Sequence, residues 1–345
     1  MMKLDYMGED MGIEIWLPLL IISALLLLFF ITLAVCYIMT FYSKPRKMLG
    51  EGEYEFPEGS IYEPYHEKMK NWMDENRRRP HEDFEITSYD GLKLRAKYFE
   101  YRPGAIIELI FHGYRGNSER DLCAAVERCA ALGRSVMLID QRASGWSDGS
   151  TITFGIKERH DVVSWANFAV EHFGPDVRLI LGGVSMGAAT VLLAAAEPLP
   201  DNVLCIMGDC GFDTARGIIQ KVIGEMHLPP RLMYPFVRLA GIIFGGFDLD
   251  ETSPIESVKK SKTPIIFIHG DNDDFVPHTM SERMYEVCPA PKKLAIIHGA
   301  GVSKSLPVIN SITVNRLFSA RKKKHYDSLH GNILSYQCHT IRQYP

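Results

Sequence analysis

Read along the chain, the apolar positions fall into three regimes. From Leu17 to Tyr42 there are 26 consecutive residues without a charge, dominated by Leu, Ile and Phe. As a helix this run is about 39 Å long, enough to cross a hydrocarbon core of about 30 Å with tilt. Residues 84–99, "FEITSYDGLKLRAKYF", then alternate apolar and polar around Asp90-Gly91, which predicts two strands joined in a hairpin. Beyond that point the runs become short and nearly continuous. Residues 105–111, 135–140, 178–184, 203–207, 264–268 and 293–297 read as buried strands. Helical patterns separate them at about 118–132, 156–173, 186–197, 213–226 and 278–287. Alternation of this kind predicts an α/β fold, with a mostly parallel sheet covered by helices on both faces.

The predicted organisation follows. Residues 1–47 form a transmembrane anchor, and 48–83 a linker with an amphipathic helix near 65–76. Residues 84–306 form the main domain. The stretch 213–262 is too long for one crossover and carries apolar helical segments, "LPPRLMYPFVRLAGIIFGGFDL" among them. It is expected to be a lid above the carboxyl ends of the strands, where open α/β sheets bind ligands. The tail, 307–345, has a basic cluster and weak periodicity in place of a capped amphipathic helix.

Charge adds direction. Acidic residues (Asp5, Glu9, Asp10, Glu14) precede the span, and Lys44, Arg46 and Lys47 follow it, which places the main domain in the cytoplasm. A cleaved signal peptide has a shorter apolar region, about 7–15 residues, usually after a basic start. The net charge of −4 gives no support to nucleic-acid binding. Seven scattered cysteines without a C-x-x-C pair suggest neither a disulfide framework nor a zinc site.

The chemistry concentrates at the strand ends. Gly183-Val184-Ser185-Met186-Gly187 fits G-x-S-x-G between an apolar strand and a helix of small residues. A serine on so sharp a turn has an exposed Oγ, and side chains two residues to either side would collide. Ser185 is therefore the candidate nucleophile. The Met186 N–H, at the helix start, and the Tyr114 N–H, after the His-Gly of "IFHGYRGN", are candidate oxyanion donors. An acidic cluster follows a later strand in "IFIHGDNDDFVP". Asp273 is the candidate acid that orients a histidine, with Asp271 and Asp274 not excluded by spacing. The same cluster lacks the glycine at the sixth position of a calcium loop. Lys304-Ser305 in "GAGVSKS" lacks the preceding glycine of a phosphate-binding loop. No metal or cofactor is required.

Six stretches together resemble one family: "FHGYRGNSERD", "DQRASGWSDG", "TFGIKERHDV", "GGVSMGAAT", "PFVRLAGIIFGGFDL" and "FIHGDNDDFVP". They are similar to α/β-hydrolases of the serine aminopeptidase-like and esterase-like branch, particularly its membrane-tethered bacterial members. The resemblance implies an eight-stranded sheet, a lid after the sixth strand and acyl-enzyme chemistry on an ester, thioester or amide, in a small acyl or peptide substrate. It also implies a catalytic histidine closing the loop after the last strand. In this chain that position holds Val302. His298, four residues earlier at the strand end, is the nearest substitute; His325, His330 and His339 lie in the tail. Two readings follow: a serine hydrolase impaired at its base, or a weak or inactive hydrolase-fold protein that binds an acyl or peptide ligand. Restoring one base near Ile309 would give the tail the start of the family's last helix, so an out-of-frame C-terminus after Val308 is expected.

Overall fold

The computed structural model describes residues 10–44, 52–57 and 62–299. Val302 and the tail from 307 lie outside them, so the expectations for both stand apart from the structure.

Helix α1 runs from Asp10 to Thr40 and α2 from His66 to Arg78. The hairpin is β1 (Glu82–Thr87) and β2 (Lys93–Phe99), with Gly91 at a positive φ of 92° in its turn. Then come β3 (Ile107–Phe111), α3 (Ser118–Asp121), α4 (Ala125–Ala131), β4 (Ser135–Asp140), α5 (Glu158–Phe173), β5 (Leu179–Val184) and α6 (Met186–Ala194). The last group is β6 (Val203–Asp209), α7 (Ala215–Glu225), α8 (Pro230–Ala240), α9 (Pro254–Val258), β7 (Ile265–Gly270), α10 (Thr279–Val287) and β8 (Lys292–Ile297). The eight strands form one sheet in the order β1-β2-β4-β3-β5-β6-β7-β8. Both pairings of β2 are antiparallel and all the others are parallel.

The central strands are buried at every position because helices cover both faces, which is why their sequences do not alternate. Trp165 of α5 and Val191 and Leu192 of α6 pack on one face with Leu109, Leu181 and Phe267. On the other, Leu122, Val126 and Cys129 cover Ile110, Val136 and Leu138. One element differs from the pattern-based expectation. The helix anticipated over 118–132 is broken at 122–124, since Leu122 and Cys123 both turn inward into separate apolar clusters.

The interval from 213 to 262 holds α7, α8, a π-helical turn at Gly241–Gly245 and α9. Helices α7 and α8 pack on each other, and α1 packs on α8. Phe29 meets Phe236 with ring centroids 6.0 Å apart, Tyr37 meets Phe244 at 5.6 Å, and Phe41 meets Phe247 at 5.1 Å. Leu33 and Phe41 are fully buried there, whereas Leu17 to Leu28 are largely exposed. The end of α1 joins the domain through backbone bonds: Ser43 N–H donates to the Ser150 carbonyl, and Ile152 N–H to that of Phe41.

Candidate active site

Ser185 closes β5 and opens α6, with φ 54° and ψ −116°. That is sparsely populated backbone for a residue with a Cβ, and it persists only where the surroundings over-determine it. The surroundings do so through glycine. A Cβ on Gly183 would lie 2.2 Å from the Gly187 carbonyl oxygen, and one on Gly187 would lie 2.1 Å from that of Phe111. The strand end, the helix start and the end of β3 are thus pressed together at van der Waals limits. Ser185 N–H donates to the Asp209 carbonyl at 2.8 Å, which pins the turn to β6. The side chain of Ser185 stays partly accessible while its neighbours are buried.

The loop after β3 passes beside it. A methyl on Gly113 would stand 3.7 Å from Ser185 Cβ. Among the described residues, neither the Tyr114 N–H nor the Met186 N–H has a backbone acceptor outside the helices and strands. Met186 is also the first residue of α6, where a helix leaves its N–H groups without internal partners. Both N–H groups belong to segments that meet at Ser185: Met186 follows it in the chain, and Gly113, the residue before Tyr114, lies against it. His112 holds the loop rather than entering the chemistry. Its Nδ1–H donates to the Gly113 carbonyl at 2.8 Å, while Nε2 accepts from Gln141 N–H at 3.1 Å. Acceptance at Nε2 requires the neutral ring, and burial pushes the His112 pKa down, which keeps it neutral.

The acidic cluster separates into distinct environments. The Asp273 side chain is fully buried, and its Oδ1 accepts from Phe275 N–H at 3.0 Å and Val276 N–H at 2.8 Å. Its Oδ2 has no hydrogen-bond partner among the described residues. His269 stands 3.5 Å from that oxygen, but its Nε2–H donates to the Val276 carbonyl at 2.8 Å and its Nδ1 is bonded to Ser281 Oγ. Asp273 thus has the form of an acid with one oxygen anchored and the other unclaimed. Asp271 is engaged elsewhere: Oδ2 meets His298 Nδ1 at 2.6 Å and Oδ1 accepts from Gly299 N–H. His298 is bonded to Asp271 and its side chain is 89% exposed, so the structure does not join it to Asp273. Burial of the doubly bonded Oδ1 gives a first expectation. Asp273→Ala leaves two inward N–H groups without acceptors and lowers unfolding stability by about 2–3 kcal/mol, read by urea denaturation. A loss below about 0.5 kcal/mol would mean that water replaces the carboxylate there.

Pattern reading missed how the loop after β3 is supported. The Tyr114 hydroxyl donates to the Thr40 carbonyl at 2.8 Å. Arg115 Nη2 donates to the carbonyls of Ile38, Met39 and Tyr42 at 3.2, 2.9 and 3.1 Å. These are C-terminal carbonyls of α1 and the residues just past it, which a helix cannot satisfy internally. The available signal was that the last turn of α1 carries no basic residue and no glycine follows directly, so the cap had to come from elsewhere. A cavity of about 810 Å³ lies away from Ser185, in the lid, lined by Arg216, Arg231, Tyr234, Arg238, Leu239 and Ile242 among others. Among the described residues, no three His, Cys, Asp or Glu side chains gather as metal ligands.

The fold has counterparts among known proteins. Residues 109–250 match the profile of the α/β hydrolase fold, and 222–301 that of a serine hydrolase family (FSH1). The uncharacterized protein YqkD of Bacillus subtilis is 32% identical over 169 residues, covering 48% of this chain and 54% of that protein. The chain thus matches about half the length of that relative. An uncharacterized membrane protein of Saccharomyces cerevisiae is 25% identical over 70% of this chain and 80% of its own length. The esterase Pf2001 of Pyrococcus furiosus superposes with a TM-score of 0.58 at 20% identity, covering 82% of this chain and 98% of the esterase.

Proposed function

The chain belongs to the α/β-hydrolase superfamily, and from that premise we propose that it is a membrane-anchored serine hydrolase acting through a Ser185 acyl-enzyme, slowed by Val302 at the expected base. The observation that carries this reading is Ser185 itself, held at φ 54° with Gly113 against it, while the Met186 and Tyr114 N–H groups have, among the described residues, no backbone acceptor outside the helices and strands. Ser185 Oγ attacks the acyl carbonyl, and the Tyr114 and Met186 amides receive the negative oxygen. Asp273 is the acid, with Oδ2 kept for an imidazole. A histidine at 302 would take the Ser185 proton and pass it to the leaving group. Valine does neither, so the residual rate rests on the oxyanion donors and on binding. Residues 17–42 anchor the chain in the bilayer, and the basic residues after the span favour a cytoplasmic hydrolase domain. The apolar lid and the anchor favour hydrophobic acyl esters over free peptides.

The test uses the full chain in detergent micelles with p-nitrophenyl esters. Release is expected to be slow, to be faster for a laurate than for a butyrate by about tenfold, and to vanish in Ser185→Ala. Equal release from Ser185→Ala would refute the hydrolase reading. A second reading has its own support in Val302: a hydrolase-fold protein that binds an acyl or peptide ligand without turning it over. Saturable binding of a non-hydrolysable laurate ether, with no Ser185-dependent release, would favour it.

A further inference from the structure

The lid carries an exposed apolar rim. Leu232 is 63% exposed, and Met226, Leu228, Ile242, Ile243 and Phe244 are each more than 40% exposed. They lie at the end of α7, along α8 and on the π turn. Six large apolar side chains exposed within residues 226–244 mark a surface that meets something apolar.

The position of α1 identifies what that is. The apolar part of α1 begins at Trp16 and ends at Thr40. With Trp16 at the far interface, Phe29 lies about 20 Å along the helix, leaving about 10 Å of a 30 Å hydrocarbon core before the near surface. Phe29 touches Phe236 of α8. At that depth the surroundings of α8 are acyl chains. The depth also matches that of helices that lie in one leaflet, about 5–10 Å below the headgroup boundary.

The flank facing α7 has the opposite character. Arg216 binds Asp250 through Nε and Nη2, and Arg238 binds Asp248 through the same two atoms, so each keeps donors to spare. Arg231 has no hydrogen bond or ion pair among the described residues. Three guanidinium groups line the lid cavity beside one carboxylate, Asp250, while Asp248 pairs with Arg238. Guanidinium groups at a bilayer surface favour lipid phosphates.

We propose that the lid, α8 with its π turn, is seated in the near leaflet of an anionic bilayer. Its apolar rim enters the acyl boundary, and Arg216, Arg231 and Arg238 lie at the level of the phosphates. The proposal rests on the reading of α1 as a membrane span.

The experiment uses the full chain in phosphatidylcholine–phosphatidylglycerol vesicles. Leu232→Trp and Phe244→Trp each add emission to that of the native protein, and lipids brominated near the headgroup or near the chain end quench it by depth. Tyr101→Trp, on the exposed β2–β3 loop at the other end of the sheet, is the reference. The added emission at 232 and 244 is expected to be quenched about threefold more than at 101, and most by the shallow bromines. Release of the native protein from vesicles by alkaline carbonate would overturn the anchor itself. Retention with emission at 232 and 244 no more quenched than at 101 would overturn the lid proposal alone, as would a second copy covering the rim. Equal quenching in vesicles of phosphatidylcholine only would remove the role of the arginines.

Discussion

Replacing Val302 with histidine should raise the rate at which a fluorophosphonate labels Ser185 by at least about 10³-fold, since a triad without its base loses up to about 10⁶ in rate. Ser185→Ala should abolish labelling in both backgrounds. The proposed acid is held in one orientation. Asp273 is fixed by two backbone N–H bonds through Oδ1, and Oδ2 is buried with no donor among the described residues. An imidazole arriving at that oxygen is set in the tautomer that accepts from serine. Asp273→Asn therefore has opposite weights in the two proteins. In the Val302→His protein it should cost about 10³–10⁴ in labelling rate. In the native chain, where His269, the imidazole beside Asp273 among the described residues, is bonded to Val276 and Ser281, it should cost less than about tenfold. A native chain that labels as fast as Val302→His would show that a base already operates. His298 would then have to leave Asp271, and His298→Gln would identify it.

The second large effect is steric. Gly187→Ala should destabilise the fold by more than about 3 kcal/mol, lower the melting temperature by about 6–12 °C and remove labelling at Ser185. The added Cβ would sit 2.1 Å from the Phe111 carbonyl oxygen and 2.6 Å from that of His112, both backbone atoms at the end of β3. Neither can retreat, because β3 is paired on both sides, with β4 and β5. The loop beside Ser185 begins at the next residue, so its displacement reaches Tyr114. Gly224→Ala is the contrast. At that helical position the new methyl meets only Pro230 Cγ at 3.5 Å, and loss of unfolded-state freedom should stabilise by about 0.5–1 kcal/mol. Circular dichroism melts of the two proteins decide it. Equal melting temperatures would show that the elbow is far looser than its contacts imply.

The same steric demand explains why the elbow was legible in the sequence. Close contact of three backbone segments leaves glycine as the only residue at 183 and 187, and that restriction is written directly in the letters. The strands were legible for a related reason, since burial on both faces turns each into a short unbroken apolar run. Other features depend on contacts between distant segments. Spacing could not separate Asp271 from Asp273, because both follow the same strand within three residues. What separates them is direction: Asp273 turns inward to Val276, and Asp271 outward to His298. The break between α3 and α4 also escaped the periodicity, because Leu122 and Cys123 serve two different apolar clusters. Arg115 reads as an exposed loop residue until α1, more than seventy residues earlier, is folded against it.

That last contact alters what the anchor is. A tether would be interchangeable with any other apolar helix, and cutting it would release an unchanged catalyst. Here the final carbonyls of α1 and the residues just past it are held by Arg115, and its last turn receives the Tyr114 hydroxyl, from the loop beside Ser185. The seating of α1 and the shape of the loop beside Ser185 are therefore coupled. A fragment beginning after Tyr42 would lose both sets of contacts, and its inactivity would say nothing against the intact chain.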